Sequence, residues 1–306
     1  MAARDLKLGH LTNIRVLKPP TLRTGGLADV AAAFVNNVQR VKALSLFPFL
    51  STYFAHTAGF MRGAAVMNVT GTADITTADR EQNQRIAVLY RQLSAAVMKG
   101  DRSEQAADAL PSAILQIQGH ANDNRMLDGI DAWFSAQIVG GWTAFETLTG
   151  DLWEAALNCH PDGLAELNGK GSSGDKQVPL VMLQKYQYDL SKSMGSILRD
   201  NRNFDRLDNI REYYADAFSK HSPKIEKILS ERALDSLNVV RTLIVHRASL
   251  VDNKYLQRTK NLASAPKAQI GGAIILDGEI VSGLVQPVVE LGCALIVAVD
   301  RWIASH

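Results

Sequence analysis

The sequence predicts an all-α fold: a helical bundle preceded by an N-terminal helical lobe, with at most a short β-hairpin near the C-terminus. Three observations carry that expectation. Apolar residues recur at three- and four-residue spacing through most of the chain, Gly and Pro fall between the periodic stretches, and two-residue alternation is almost missing. The chain has 306 residues, of which 46% are hydrophobic and 21% charged. Such a length exceeds the usual single domain, and such a composition excludes both a disordered chain and a coiled coil.

Taken in order, the periodicity predicts helices near residues 27–47, 51–66, 83–98 and 104–118. Pro48 separates the first two, because a proline inside a helix removes one hydrogen bond and crowds the preceding turn. A Gly/Thr/Asp-rich connector spans residues 69–79, and Lys99-Gly100-Asp101 breaks the pattern again. No charged side chain occurs from Ala43 to Met61, a run nominally long enough to cross a bilayer. Ser45, Ser51, Thr52, His56 and Thr57 interrupt it, however, and with Pro48 they favour two short buried helices over a membrane span.

A longer helix is expected over residues 125–158, where Phe145, Leu148, Leu152, Ala155 and Ala156 form a core-facing stripe. Pro161, Gly163, Gly169, Gly171 and Gly174 then mark a flexible loop over 159–177. Helices follow at 180–200, 207–218, 225–229 and 233–246. Ala273-Ile274-Ile275-Leu276 before Asp277-Gly278 permits the small hairpin, and a final helix covers about 281–304. No repeat of 20 to 50 residues is present.

Lys and Arg total 33 against 31 Asp and Glu, a net charge of +2, so any anion site must be local. Mean hydropathy of -0.05 excludes a polytopic membrane protein. Cys159 and Cys293 lie far apart without metal-ligand spacing, which suits a reducing cytoplasm. The first residues carry Arg4, Asp5 and Lys7 where a secretory signal needs an apolar run, so a cytoplasmic location without membrane contact is expected.

The chemistry concentrates in the helix at 233–246. Leu234, Leu237, Val240, Ile244 and Val245 give it an apolar side that Arg241 interrupts, and His246 follows five positions later. On an ideal helix the two lie about 7.5 Å apart along the axis and about 140° apart around it. Joint action therefore needs the long arginine stem, a loosened helix end or a second copy. Arg presents a planar fork that matches phosphate oxygens, and His exchanges protons near neutral pH. The bland alternative is structural: Arg241 paired with Glu146 or Asp235, and His246 resting at a helix C-terminus.

The stretch Asn238-Val239-Val240-Arg241-Thr242-Leu243-Ile244-Val245-His246 and its continuation to Leu256 resembles the signature helix of HEPN domains, especially those of prokaryotic RNases and abortive-infection proteins. That pattern is Arg, four to six residues, His, then a polar turn and a Tyr-Leu pair, here Tyr255-Leu256. Gly141-Trp142-Thr143-Ala144-Phe145-Glu146 with Asp151-Leu152, the segment Phe204 to Tyr214, and the turn and helix from Gly271 to Leu284 resemble further family segments in the expected order. The resemblance covers Asp123 to Ser305 and divides the chain into an N-terminal lobe, 1–120, and a HEPN-like domain, 121–306.

What the resemblance implies is a homodimer that cleaves RNA without metal or cofactor and leaves a 2′,3′-cyclic phosphate, in a stress or phage-defence role under an antitoxin or other regulatory protein. Arg241 matches the phosphate-contacting Arg and His246 the proton-transfer His; Glu146 falls on a helix beside them. Thr242 stands where catalytic members often carry Asn, which opens the alternative of a non-catalytic module binding RNA, a nucleotide or a protein. Arg247, Lys254 and Arg258 form a local basic strip suited to an RNA backbone.

Other motifs carry less. Gly169-Lys170-Gly171-Ser172-Ser173-Gly174 lacks the order of a phosphate loop, the remaining histidines lack metal spacing, and Trp133, Trp142, Trp153 and Trp302 read as core.

Overall fold

The computed structural model describes residues 4–98, 103–161, 180–200, 202–218 and 222–306. Among them are eleven α-helices and no strand: α1 (Ala28–Thr70), α2 (Arg80–Met98), α3 (Ser103–Gly119), α4 (Asn124–Cys159), α5 (Leu180–Lys185), α6 (Met194–Arg199), α7 (Leu207–Ala217), α8 (Pro223–Leu229), α9 (Arg232–Arg247), α10 (Asn253–Thr259) and α11 (Gly278–Ile303). The fold is all-α. Much of the loop expected at 159–177, together with the glycine-rich segment inside it, lies outside the described residues.

Three local expectations change. Pro48 sits inside a single continuous helix, α1, rather than between two; a proline costs its own hydrogen bond, but the flanking ladder survives. The helix expected at 180–200 is two short ones. Gln187 and Tyr188 adopt left-handed φ of 52° and 63°, and the Tyr188 amide donates to Leu183 O at 2.8 Å, which closes α5. The start of α6 is then fixed by Asn158 of α4, whose Oδ1 accepts from the Gly195 amide at 2.8 Å. Finally, Asp277-Gly278 opens a helix instead of turning a hairpin, because Asp277 accepts from the Ile280 amide at 2.7 Å and caps α11. Pairing near the C-terminus reduces to one antiparallel bridge between Leu250 and Ala273.

The chain forms two compact units. One comprises the described residues up to Gly9 with Leu44–Leu127, the other His10–Ala43 with Asp128–His306, so α1 and α4 each contribute to both. In the first, Ala65, Val66 and Ile86 make a small core with Val69, Ile75, Leu89 and Tyr90 against it. Asp79 and Gln82 form a reciprocal capping box at the head of α2, at 2.8 and 3.0 Å. Gln118 holds the N-terminal segment, accepting from the Leu6 amide at 3.0 Å and donating to Arg4 O at 2.6 Å.

The second unit is built on α4, whose Phe134, Trp142, Phe145, Leu152 and Trp153 are fully buried. Burial of each such side chain removes apolar surface from water and contributes about 1.5–3 kcal/mol. Helix α7 is fastened to α4 by Tyr214, whose hydroxyl donates to Thr149 O at 2.7 Å, and by Trp153 Nε1, which donates to Tyr213 O at 3.0 Å. It is fastened to α9 by Arg211, whose two terminal nitrogens meet the Asp235 carboxylate at 3.0 Å each. The apolar α11 packs against α8 and α9. By length and composition α11 could cross a membrane, yet half of its most apolar window is buried within the protein. Asp300 near its end accepts from the amides of Arg23 and Thr24, at 3.0 and 2.8 Å, and ties residues 23–24 to the helix.

Candidate nucleic-acid site at the end of α9

Helix α9 runs unbroken from Arg232 to Arg247, so Arg241 and His246 keep the angular separation that an ideal helix imposes. It stops at Ala248 and Ser249, both in the left-handed region with φ of 48° and 69°. Their amides both reach back to Leu243 O, which satisfies one of the carbonyls the helix would otherwise leave open. Asp252 then starts α10 by accepting from the Tyr255 amide at 2.8 Å, and the Tyr255 hydroxyl donates to Pro266 O at 2.6 Å. Burial pushes that phenol up to about 12, so it stays a donor. Asp252 thus fixes the start of α10, and Tyr255 ties that helix to the segment at Pro266.

A cavity of about 200 Å³ opens where these helices meet, lined by Val239, Thr242, Leu243, His246, Arg247, Asp252, Lys254, Tyr255 and Arg258. His246, Arg247, Lys254 and Arg258 are exposed, whereas Val239, Leu243 and Tyr255 are buried. Arg247 Nε lies 3.6 Å from Asp252 Oδ2. Thr242 is tied to its own helix, its hydroxyl donating to Asn238 O at 2.7 Å, which leaves it able only to accept.

Arg241 does not line the cavity. Its Nη2 lies 3.5 Å from Glu146 Oε2 on α4, its guanidinium stands 5.9 Å from the centroid of the Trp142 ring, and its Nε is buried without a hydrogen-bond partner. Trp142 Nε1 donates to the same Glu146 oxygen at 2.8 Å. Burial raises the Glu146 carboxyl above its ordinary value; the Arg241 charge and the Trp142 hydrogen bond oppose that shift, and Asp205 adds to it. Of the two partners open to Arg241 by sequence, Glu146 is the one taken, and Asp235 pairs with Arg211.

The structure therefore sorts the site residues into two groups, one shared by α9 and α10 and the other by α9 and α4. Thr242, His246, Arg247, Lys254 and Arg258 come together at the cavity; Arg241 and Glu146 come together with Trp142. Trp142, expected to be core, is fully buried and also holds Glu146, four positions on along α4. One contributor was not singled out by sequence: Asp252 sits in the polar turn, and it caps α10, a position for which Asp is among the preferred residues.

Compared with known proteins, the chain matches no family model, no curated protein and no solved structure.

Proposed function

We propose that the protein is a metal-independent endoribonuclease that cleaves RNA through attack of the ribose 2′-hydroxyl, working inside the cell as a homodimer. The observation that carries this reading is the cavity at the end of α9, where His246 sits among Arg247, Lys254 and Arg258. These are the groups that hold a phosphate and move a proton. His246 takes the 2′-hydroxyl proton, the 2′-oxygen attacks phosphorus, and the 5′-oxygen departs with a proton from the partner's His246. The products are a 2′,3′-cyclic phosphate and a 5′-hydroxyl. Arg241, about 140° around α9, serves the phosphate when two copies bring their α9 helices together. A stress or phage-defence role under a regulatory protein rests only on the family resemblance across Asp123–Ser305.

A second reading, a module that binds RNA, a nucleotide or a protein without cleaving, is favoured by two observations: Thr242 spends its only donor on Asn238 O, and Arg241 is held by Glu146. Incubation of the full chain with mixed RNA in EDTA separates the two. Cleavage by the wild type that disappears in His246→Ala and falls in Arg241→Ala supports the nuclease; RNA bound but intact supports the module. Equal degradation by all three proteins would overturn the nuclease assignment.

A further inference from the structure

The cavity at the end of α9 has two chemically different parts. Its floor is apolar: Val239, Leu243 and Tyr255 are 7%, 3% and 3% exposed. Its rim is cationic, with Arg247, Lys254 and Arg258 beside His246. Asp252 engages Arg247, while Lys254 and Arg258 make no ion pair among the described residues. These last two are four positions apart and so share one face of α10. A site for inorganic anions alone would have no use for the floor, and a site for an apolar ligand would have no use for the rim.

We infer that this cavity takes one unpaired nucleotide, the base against Val239, Leu243 and Tyr255 and a flanking phosphate against Lys254 and Arg258, so that the substrate class is single-stranded RNA. This deepens the nuclease reading and rests on it for the choice of RNA. Size supports the inference. The cavity of about 200 Å³ is below the roughly 300–1,000 Å³ of sites for drug-sized ligands, which suits one ring system and not a stacked pair. Chemistry supports it too: only an unpaired base can leave its stack and expose a face to an apolar floor, whereas a duplex presents phosphates and groove edges. With a net charge of only +2 over the chain, overall charge gives little attraction for phosphate, so a local cluster such as this rim has to supply it.

The test uses the full chain without divalent ions. Calorimetric titration compares the four nucleoside 5′-monophosphates with ribose 5-phosphate and inorganic phosphate. At least one nucleotide is expected to bind about tenfold or more tightly than ribose 5-phosphate, the increment being the base. Lys254→Ala and Arg258→Ala should weaken every phosphate ligand, and Thr242→Phe, which fills the cavity, should remove the nucleotide advantage while sparing inorganic phosphate. Equal affinity for nucleotides and ribose 5-phosphate, or no binding of either, overturns the inference, and the lysine and arginine variants keep that outcome readable if Thr242→Phe does not fold.

A second arm measures a labelled single strand against its blunt duplex on His246→Ala, where no cleavage intervenes. Tighter binding of the single strand supports the inference. Mononucleotide binding with no preference for the strand assigns the cavity to a free nucleotide and overturns the RNA part. Nucleotide binding in a wild type that never cleaves RNA supports the pocket and sinks the nuclease reading alone.

Discussion

Arg241 and Glu146 are joined at 3.5 Å across α9 and α4, and the same Glu146 oxygen accepts from Trp142 Nε1 at 2.8 Å. Two side chains thus share one half-buried carboxylate, while His246, on the helix that carries Arg241, faces a cavity that Arg241 does not line. The ion pair is strained by its setting: burial outweighs Arg241 and Trp142 and leaves the Glu146 carboxyl raised.

A pH dependence follows. A carboxyl raised in the folded state binds a proton more tightly there than in the unfolded chain, so its ionisation lowers stability as pH rises from the ordinary value of 4.5 through the folded one. Glu146→Gln has no such step. The melting temperature of Glu146→Gln relative to wild type should therefore become more favourable from pH 4 to pH 7, and thermal melts across that range check it. A flat difference would mean that Glu146 is not desolvated as the geometry requires.

The left-handed residue after α9 gives a second prediction. Ala248 holds φ 48°, a region that costs a residue with a Cβ roughly 1–2 kcal/mol, whereas glycine enters it freely. Against glycine's greater loss of chain entropy, Ala248→Gly should stabilise the protein by about 0.5 kcal/mol. Urea unfolding should show a higher midpoint at unchanged slope.

Packing of α11 gives a third. A Cβ built on Gly292 would stand 2.5 Å from Phe34 Cζ and 3.0 Å from Leu148 Cδ2. Gly292→Ala should therefore destabilise by about 1–3 kcal/mol despite its better helix propensity, because the ring must move within a packed core. Phe34→Leu should relieve part of that cost, so the double variant should unfold at a higher urea concentration than additivity of the singles gives.

A fourth concerns salt. If Lys254 and Arg258 hold phosphate, each alanine variant should lower the slope of log affinity against log salt for a single-stranded RNA by about 0.7. Fluorescence titrations between low and physiological salt measure it. An unchanged slope in both variants would place the RNA elsewhere.

Much of this was legible before folding was considered. The helices α4, α7, α8, α9 and α11 lie where apolar spacing puts them, because 3.6-residue periodicity is a property of the backbone that local sequence expresses directly. The separation of Arg241 from His246 was legible for the same reason. Less local outcomes were not. Apolar spacing does not say that α1 continues through Pro48, and the start of α6 within residues 180–200 rests on a hydrogen bond from Gly195 to Asn158, a segment distant in the chain.

By itself, the sequence determined an all-helical chain and the set of charged groups around the end of α9. Only the tertiary structure decided which groups meet. Arg211 pairs with Asp235, Arg241 meets Glu146 and Trp142, and the capped turn at Asp252 leads into α10, whose Lys254 and Arg258 line the cavity of His246. The physical reason is range: helix formation is settled within a few residues, whereas ion pairing and cavity lining depend on which helix faces lie side by side, and that is fixed by burial of the whole core.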